Sequence, residues 1–127
     1  LMIVSGQENI VGFCGILPNA RGALCFLTEL CTMGSLDKLH RKYDLTTPQN
    51  FWKIFRGLLL ALMHLHIYKL IHRDVACRNI LIQPGLVPKL ADFGLCVRAP
   101  SGTYIATGTE LLPWAWMPPE ALRKERK

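Results

Sequence analysis

The sequence predicts an α+β fold, and three observations carry that expectation. Two short apolar runs flank the turn-forming segment Pro18-Asn19-Ala20-Arg21-Gly22. A long stretch from Pro48 to Tyr68 repeats its apolar residues at helical spacing. Two further short β-like pieces lie on either side of Pro84-Gly85. Runs of alternating or continuous apolar residues joined by turn chemistry give hairpins, while spacings of three and four give an amphipathic helix.

In chain order, Ile10–Leu17 is expected as a strand and Ala23–Glu29 as its hairpin partner. Thr32-Met33-Gly34 breaks the pattern. Ser35–Lys42 is expected as a short helix, with Ser35 as N-cap and Leu36 and Leu39 on one face. Thr47 caps the main helix, and Pro48 suits the first helical position, where a missing N–H costs nothing. Phe51, Ile54, Phe55, Leu58, Leu59, Leu62 and His66 are its expected core-facing stripe. Ile80–Gln83 and Val87–Ala91 form the second pair of β pieces. Ala99–Leu112 lacks periodicity, is rich in Gly, Ser and Thr, and is expected to be a long mobile loop.

Composition narrows the class. Half of the 127 residues are hydrophobic and 19% are charged, which argues against a disordered chain. The net charge is +6, but Arg123, Lys124, Arg126 and Lys127 supply much of it, and no nucleic-acid recognition motif accompanies them. No nucleic-acid partner is therefore expected. The two longest uncharged stretches, Asn9–Ala20 and Gly57–Tyr68, are too short to span a bilayer. The five cysteines show no CxxC pair and suit reduced thiols in an intracellular compartment. The chain starts at Leu1 with no secretory leader, as a partial sequence would.

The chemistry concentrates in Ile71-His72-Arg73-Asp74-Val75-Ala76-Cys77-Arg78-Asn79 and in Asp92-Phe93-Gly94. A carboxylate and an amide lie five residues apart, and a second carboxylate follows thirteen residues beyond the amide. That set suits phosphoryl transfer, with one group orienting a hydroxyl nucleophile and two holding magnesium.

These residues, in this order and behind the expected helix, resemble the protein kinase family, in particular its tyrosine kinase branch. His72-Arg73-Asp74 with Asn79 is similar to the catalytic loop, Asp92-Phe93-Gly94 to the magnesium-binding motif, and Met117-Pro118-Pro119-Glu120 to the Ala-Pro-Glu segment. The resemblance implies a partial protein-kinase-like fold, with a remnant of the N-lobe and the hinge over residues 1–31 and a C-lobe portion over 32–127. It implies ATP and Mg²⁺ as cofactors and proteins bearing tyrosine as substrates. Asp74 would orient the substrate hydroxyl, while Asn79 and Asp92 would hold the metal. Serine/threonine kinases usually carry Lys two positions after the catalytic Asp, and here that position is Ala76. Tyrosine kinases tend to carry Arg four positions after it, and Arg78 is there; Trp116 before Met117 also fits that branch.

The resemblance extends upstream. Leu27-Thr28-Glu29-Leu30-Cys31 matches the adenine-binding hinge, which makes Thr28 the gatekeeper and gives Glu29 and Cys31 main-chain hydrogen bonds to the base. Leu81 would be the apolar floor under it. Met2, Phe13, His72 and Phe93 fall where the family stacks four side chains between its lobes. Tyr104, twelve residues past Asp92, is placed as an autophosphorylation site whose phosphate would pair with Arg73.

The sequence also departs from the pattern. It holds no G-x-G-x-x-G and no Val-Ala-x-Lys, and alignment puts the paired glutamate of the N-lobe helix before Leu1. The 127 residues correspond to roughly the middle half of a kinase domain of about 250 residues. Alone they are expected to bind ATP weakly and not to phosphorylate. Ala115 stands where a basic residue is usual, Pro118 where Ala is, and Val97 where Arg often is. The alternative reading is a non-catalytic kinase-like scaffold. A small-molecule phosphotransferase would share the Asp–Asn–Asp set but not the segment from Phe93 to Glu120.

Overall fold

The computed structural model describes residues 2–39, 44–45, 47–105 and 113–119. Its first hairpin pairs β1 (Phe13–Pro18) with β2 (Leu24–Thr28), antiparallel, with a register irregularity between Phe13 and Gly15. Asn19 sets the turn. Its carboxamide oxygen accepts from the Arg21 and Ala23 amides at 2.9 and 3.0 Å, and Gly22 supplies the left-handed backbone at φ +78°.

The short helix α1 covers Leu36–Leu39, where the sequence suggested Ser35–Lys42; residues 40–43 lie outside the described set. Helix α2 covers Pro48–Ile67 and starts as expected, with the Asn50 amide donating to Thr47 Oγ1 at 3.4 Å. Tyr68 closes it, and Lys69 turns the chain away in the left-handed region at φ 56°.

The buried face of α2 differs from the expected stripe. Ile54, Gly57, Ala61 and Leu65 are buried, with Leu58 and Leu62 packed beside them. Phe51, Phe55, Leu59 and His66 are exposed. The reason is volume. Ile54, Leu58 and Leu62 pack as a periodicity count of large apolar residues expects, but that count overlooks the small residues Gly57 and Ala61. Gly57 and Ala61 let the neighbouring strand approach closely, which large side chains would prevent. Phe51, Trp52 and Phe55 instead cluster with one another on the outer face, at ring separations of 5.4 to 5.8 Å.

After α2, β3 (Leu70–Ile71) pairs antiparallel with β6 (Val97–Arg98). Between them lies the hairpin of β4 (Ile80–Gln83) and β5 (Val87–Leu90), close to expectation. Ile80, Ile82, Pro88 and Leu90 point inward and alternate with less buried neighbours. The segment ahead of β1 lies along β5, with Val11 N donating to Leu90 O at 2.9 Å and Leu90 N to Asn9 O at 2.8 Å.

Two clusters form the core. Val4, Ile10, Ala61, Leu65 and Leu90 make one, and Leu39, Ile80 and Ile82 the other; Leu58 packs against both. The arrangement is α+β, as the sequence predicts. No helix among the described residues is long and apolar enough to cross a membrane.

Gly57 is where helix and strand meet most closely. A Cβ there would lie 2.5 Å from Pro88 Cγ and 2.8 Å from Asn9 Nδ2. Gly57→Ala gains up to about 1 kcal/mol of helix propensity, but overpacking costs about 1–3 kcal/mol. The net expectation is a loss of about 1–2 kcal/mol in urea unfolding. A variant as stable as the parent would show that this contact gives way freely.

Candidate active site

Two short pairings bring the candidate residues together. β3–β6 holds the two ends of the region from Leu70 to Arg98, and β4–β5 folds its middle back on itself. The loop 72–79 therefore lies against the segment 91–96. Ala91 joins them directly. Its amide donates to Asn79 O at 2.8 Å, and its carbonyl lies 3.0 Å from His72 Nε2.

Asp74 is buried at the centre of the loop. Its Oδ2 accepts from Asn79 Nδ2 at 2.6 Å, and the same nitrogen reaches the Asp74 carbonyl at 2.9 Å. Its Oδ1 accepts from Arg78 Nη2 in a close ion pair. The Arg78 guanidinium in turn sits 4.5 Å from the centre of the Trp116 ring, within cation–π range. Asp74 thus presents a fixed carboxylate with a partner on each oxygen. Carboxylate oxygens hold about four lone-pair sites between them, so it retains capacity for a further donor.

His72 is buried and braces the Asp74 backbone. Its Nδ1 accepts from the Asp74 amide at 3.3 Å, so its Nε2 carries the proton towards Ala91 O. Its ring meets that of Phe93 edge-on at 4.9 Å. Of the expected four-residue stack, His72 and Phe93 are in contact. Phe13 faces Phe26 at 6.3 Å. Met2 is 68% exposed and does not join a buried stack; in its one-turn helix, Met2–Val4, the residue driven into the core is Val4.

Asp92 follows Ala91 with φ 57°, a left-handed conformation uncommon for residues other than glycine. Its Oδ1 accepts from the Gly94 amide at 3.2 Å and its side chain is exposed. Asn79 spends its amide donors on Asp74 and also carries a neutral side-chain oxygen, while its backbone oxygen accepts from Ala91, the residue before Asp92. A neutral and an anionic oxygen suit a hard divalent cation such as Mg²⁺, which keeps waters and phosphate oxygens as its other ligands. No group of three or more metal-ligating side chains occurs among the described residues. A site of this kind needs no such cage.

Above these groups lies a cleft of about 480 Å³, within the range of small-molecule sites. Thr28, Leu81 and Asp92 line it, together with Val11, Phe26 and Phe93. Glu29 and Cys31 lie just beyond. The Glu29 amide donates to Gly12 O and the Cys31 carbonyl accepts from the Gly34 amide, so each has one main-chain group already engaged. Arg73 donates from Nε to Leu95 O at 2.6 Å, and its guanidinium lies 4.7 Å from the Tyr104 ring centre. Glu120 lies outside the described residues.

Sequence reasoning missed two site neighbours. Lys89 forms an ion pair with Glu29 at 2.7 Å; its only signal was a lone cation inside an apolar strand. Trp116 was read as a family mark, and its contact with Arg78 depends on a fold-back that spacing does not reveal.

A family model described as protein tyrosine and serine/threonine kinase matches residues 1–127, and the chain belongs to that family. It is 33% identical over 120 residues to Mitogen-activated protein kinase kinase kinase 3 of Arabidopsis thaliana, covering 94% of this chain and 20% of the relative. It is 35% identical over 119 residues to Serine/threonine-protein kinase STY17 of the same plant, covering 91% and 20%. It is 30% identical over 120 residues to Activated Cdc42 kinase Ack of Drosophila melanogaster, covering 92% and 11%. The chain thus spans a fifth or less of the length of these relatives. The family description covers both tyrosine and serine/threonine kinases.

Burial holds the His72 imidazole below its ordinary value of 6.5, outweighing the upward pull of the Ala91 carbonyl and of the Asp74 and Asp92 charges. The unfolded chain therefore binds this proton more readily. The contribution of His72 to stability is full above about pH 6.5 and is lost as the pH falls below it. The urea midpoint is expected to fall between about pH 7.5 and 5.5, and the fall to be shallower in His72→Gln. An equally steep fall in that variant would contradict the assignment.

Proposed function

We propose that the intact protein is a protein tyrosine kinase, transferring the γ-phosphate of ATP to tyrosine hydroxyls, and that this chain carries the substrate- and metal-facing side of its active site. The observation that carries the reading is Asp74, buried and held on both oxygens by Arg78 and Asn79. Such a carboxylate is fixed in position, and phosphoryl transfer depends mainly on positioning and charge stabilisation.

Asp74 accepts the hydrogen bond of the incoming hydroxyl and directs its oxygen. Asn79 and Asp92 would hold Mg²⁺, offering one neutral and one charged oxygen. When bound, the metal neutralises phosphate charge. Thr28 stands at the back of the cleft as gatekeeper, and Leu81 supplies the apolar floor. The Glu29 carbonyl and the Cys31 amide serve the adenine, since the Glu29 amide and Cys31 carbonyl are engaged within the chain. Tyr104 is the regulatory residue. Its ring already lies over Arg73, and a phosphate there would exchange that cation–π contact for a charge-assisted pair.

Tyrosine is favoured over serine or threonine by Ala76 and Arg78, and by the position of Arg78 between Asp74 and Trp116. A non-catalytic scaffold is the second reading, and Ala115 favours it, because it removes a basic group usual beside the docking segment. ATP use and five free thiols suit the cytoplasmic side of the cell.

The test is peptide phosphorylation by the full-length protein with MgATP. Tyrosine peptides are expected to be modified in preference to serine peptides, and Asp74→Asn to lower kcat by about 10²–10⁴-fold with nucleotide affinity kept. In the same assay Tyr104→Phe is expected to lower activity after incubation with ATP. Full activity in Asp74→Asn, or a preference for serine, would overturn the proposal.

A further inference from the structure

Glu29 carries a polar network that none of the roles above uses. Its Oε1 accepts from the Gly12 amide at 2.6 Å and pairs with Lys89 Nζ at 2.7 Å. Its Oε2 receives Gln83 Nε2 at 3.4 Å, and Gln83 also donates to Leu30 O at 3.0 Å. The pair is shielded, with side-chain exposures of 13% for Lys89 and 30% for Glu29. Charge-assisted bonds of this kind are the strong ones.

Three segments meet at this carboxylate, the lead-in to β1, the exit from β2 and β5, and each brings a cleft wall with it. Gly12 follows Val11, Glu29 follows Thr28, and Lys89 is paired across the sheet with Leu81. Val11, Thr28 and Leu81 all line the cleft. The separation of these walls is therefore tied to whether the three partners of Glu29 stay together. We infer that the Glu29 side chain is a positioning residue that latches the β1–β2 hairpin to the β4–β5 hairpin and sets the width of the nucleotide cleft. This inference rests on the nucleotide reading proposed above for that cleft.

Cys31 offers a readout that needs no nucleotide. It is buried two residues from Glu29. Burial and the Glu29 charge raise its thiol, and Lys89 lowers it. Removing Lys89 should therefore slow the chemistry of Cys31 if electrostatics alone acted. Faster labelling therefore reports increased access to Cys31, from opening of the latch or from general loosening. Cys96, half-buried elsewhere, serves as the control for general loosening.

The experiment compares the intact protein with Lys89→Met, Glu29→Gln, the conservative Lys89→Arg and the milder Gln83→Ala. Site-resolved thiol labelling by mass spectrometry is followed by titration with the non-hydrolysable analogue AMP-PNP and Mg²⁺. Lys89→Met is expected to label at Cys31 about tenfold faster and to bind AMP-PNP about tenfold more weakly. Cys96 should be unchanged, Lys89→Arg should restore both values, and Gln83→Ala should shift both in the same direction by less. Unchanged labelling of Cys31 would overturn the latch, as would equal acceleration at Cys96. Faster labelling with unchanged or tighter AMP-PNP binding would overturn its control of the cleft. If Lys89→Met does not fold, Gln83→Ala decides by the same two readouts. Failure of the parent itself to bind AMP-PNP would count against the nucleotide reading, while the labelling rates would still decide the latch.

Discussion

The hydrogen bonds of Asn79 are the constraint on which the rest of the site depends. One amide nitrogen closes the loop by reaching both the carbonyl and the carboxylate of Asp74, five residues back. The backbone oxygen of the same residue receives Ala91, which places Asp92 beside the loop. Ala91 then returns a carbonyl to His72, whose other ring nitrogen accepts from Asp74. The circuit is closed and mostly buried, so each group satisfies another that water does not reach. In such a network an unpaired member is costly, and the arrangement is correspondingly rigid.

The scaffold serves this circuit through close approach. Helix α2 meets β5 across Gly57 and Ala61, and Asn9 bonds to Pro88 O at 3.0 Å in the same contact. Because Leu90 lies in both the sheet and the core, the packing of the helix fixes where Ala91 and Asp92 begin. The β3–β6 pair closes the other side, with Ala99 N donating to Lys69 O at 2.8 Å beyond it. Chemistry-bearing residues on irregular loops are thus held by short regular pieces around them.

Much of this was legible in the sequence. The hairpins around Asn19 and Gly85, the Thr47 cap and the extent of α2 follow from turn chemistry, capping and periodicity. Asp74, Asn79 and Asp92 were marked by residue type and spacing. The buried face of α2 was legible in part: Ile54, Leu58 and Leu62 pack as expected, but hydrophobic counting favours Phe51, Phe55 and Leu59 over the small residues Gly57 and Ala61 that pack with them. The β3–β6 pair was missed because two residues carry no period. The partners of Arg78 and Glu29 were missed because an ion pair or a cation–π contact depends on which distant segments fold together. Met2 was placed by family position; it is exposed, while Val4 of the same turn is buried.

In the proposed reading Asn79 and Asp92 would form one metal-binding edge, their backbones linked by the Ala91 amide on Asn79 O. The most direct measurement is paramagnetic line broadening in the NMR spectrum, with Mn²⁺ and AMP-PNP added to the intact protein. Resonances of Asn79, Asp92 and Gly94 are expected to broaden first, and those of Trp52 and Met63 on the outer face of α2 to stay sharp. Broadening centred elsewhere, or spread evenly over the chain, would contradict that reading.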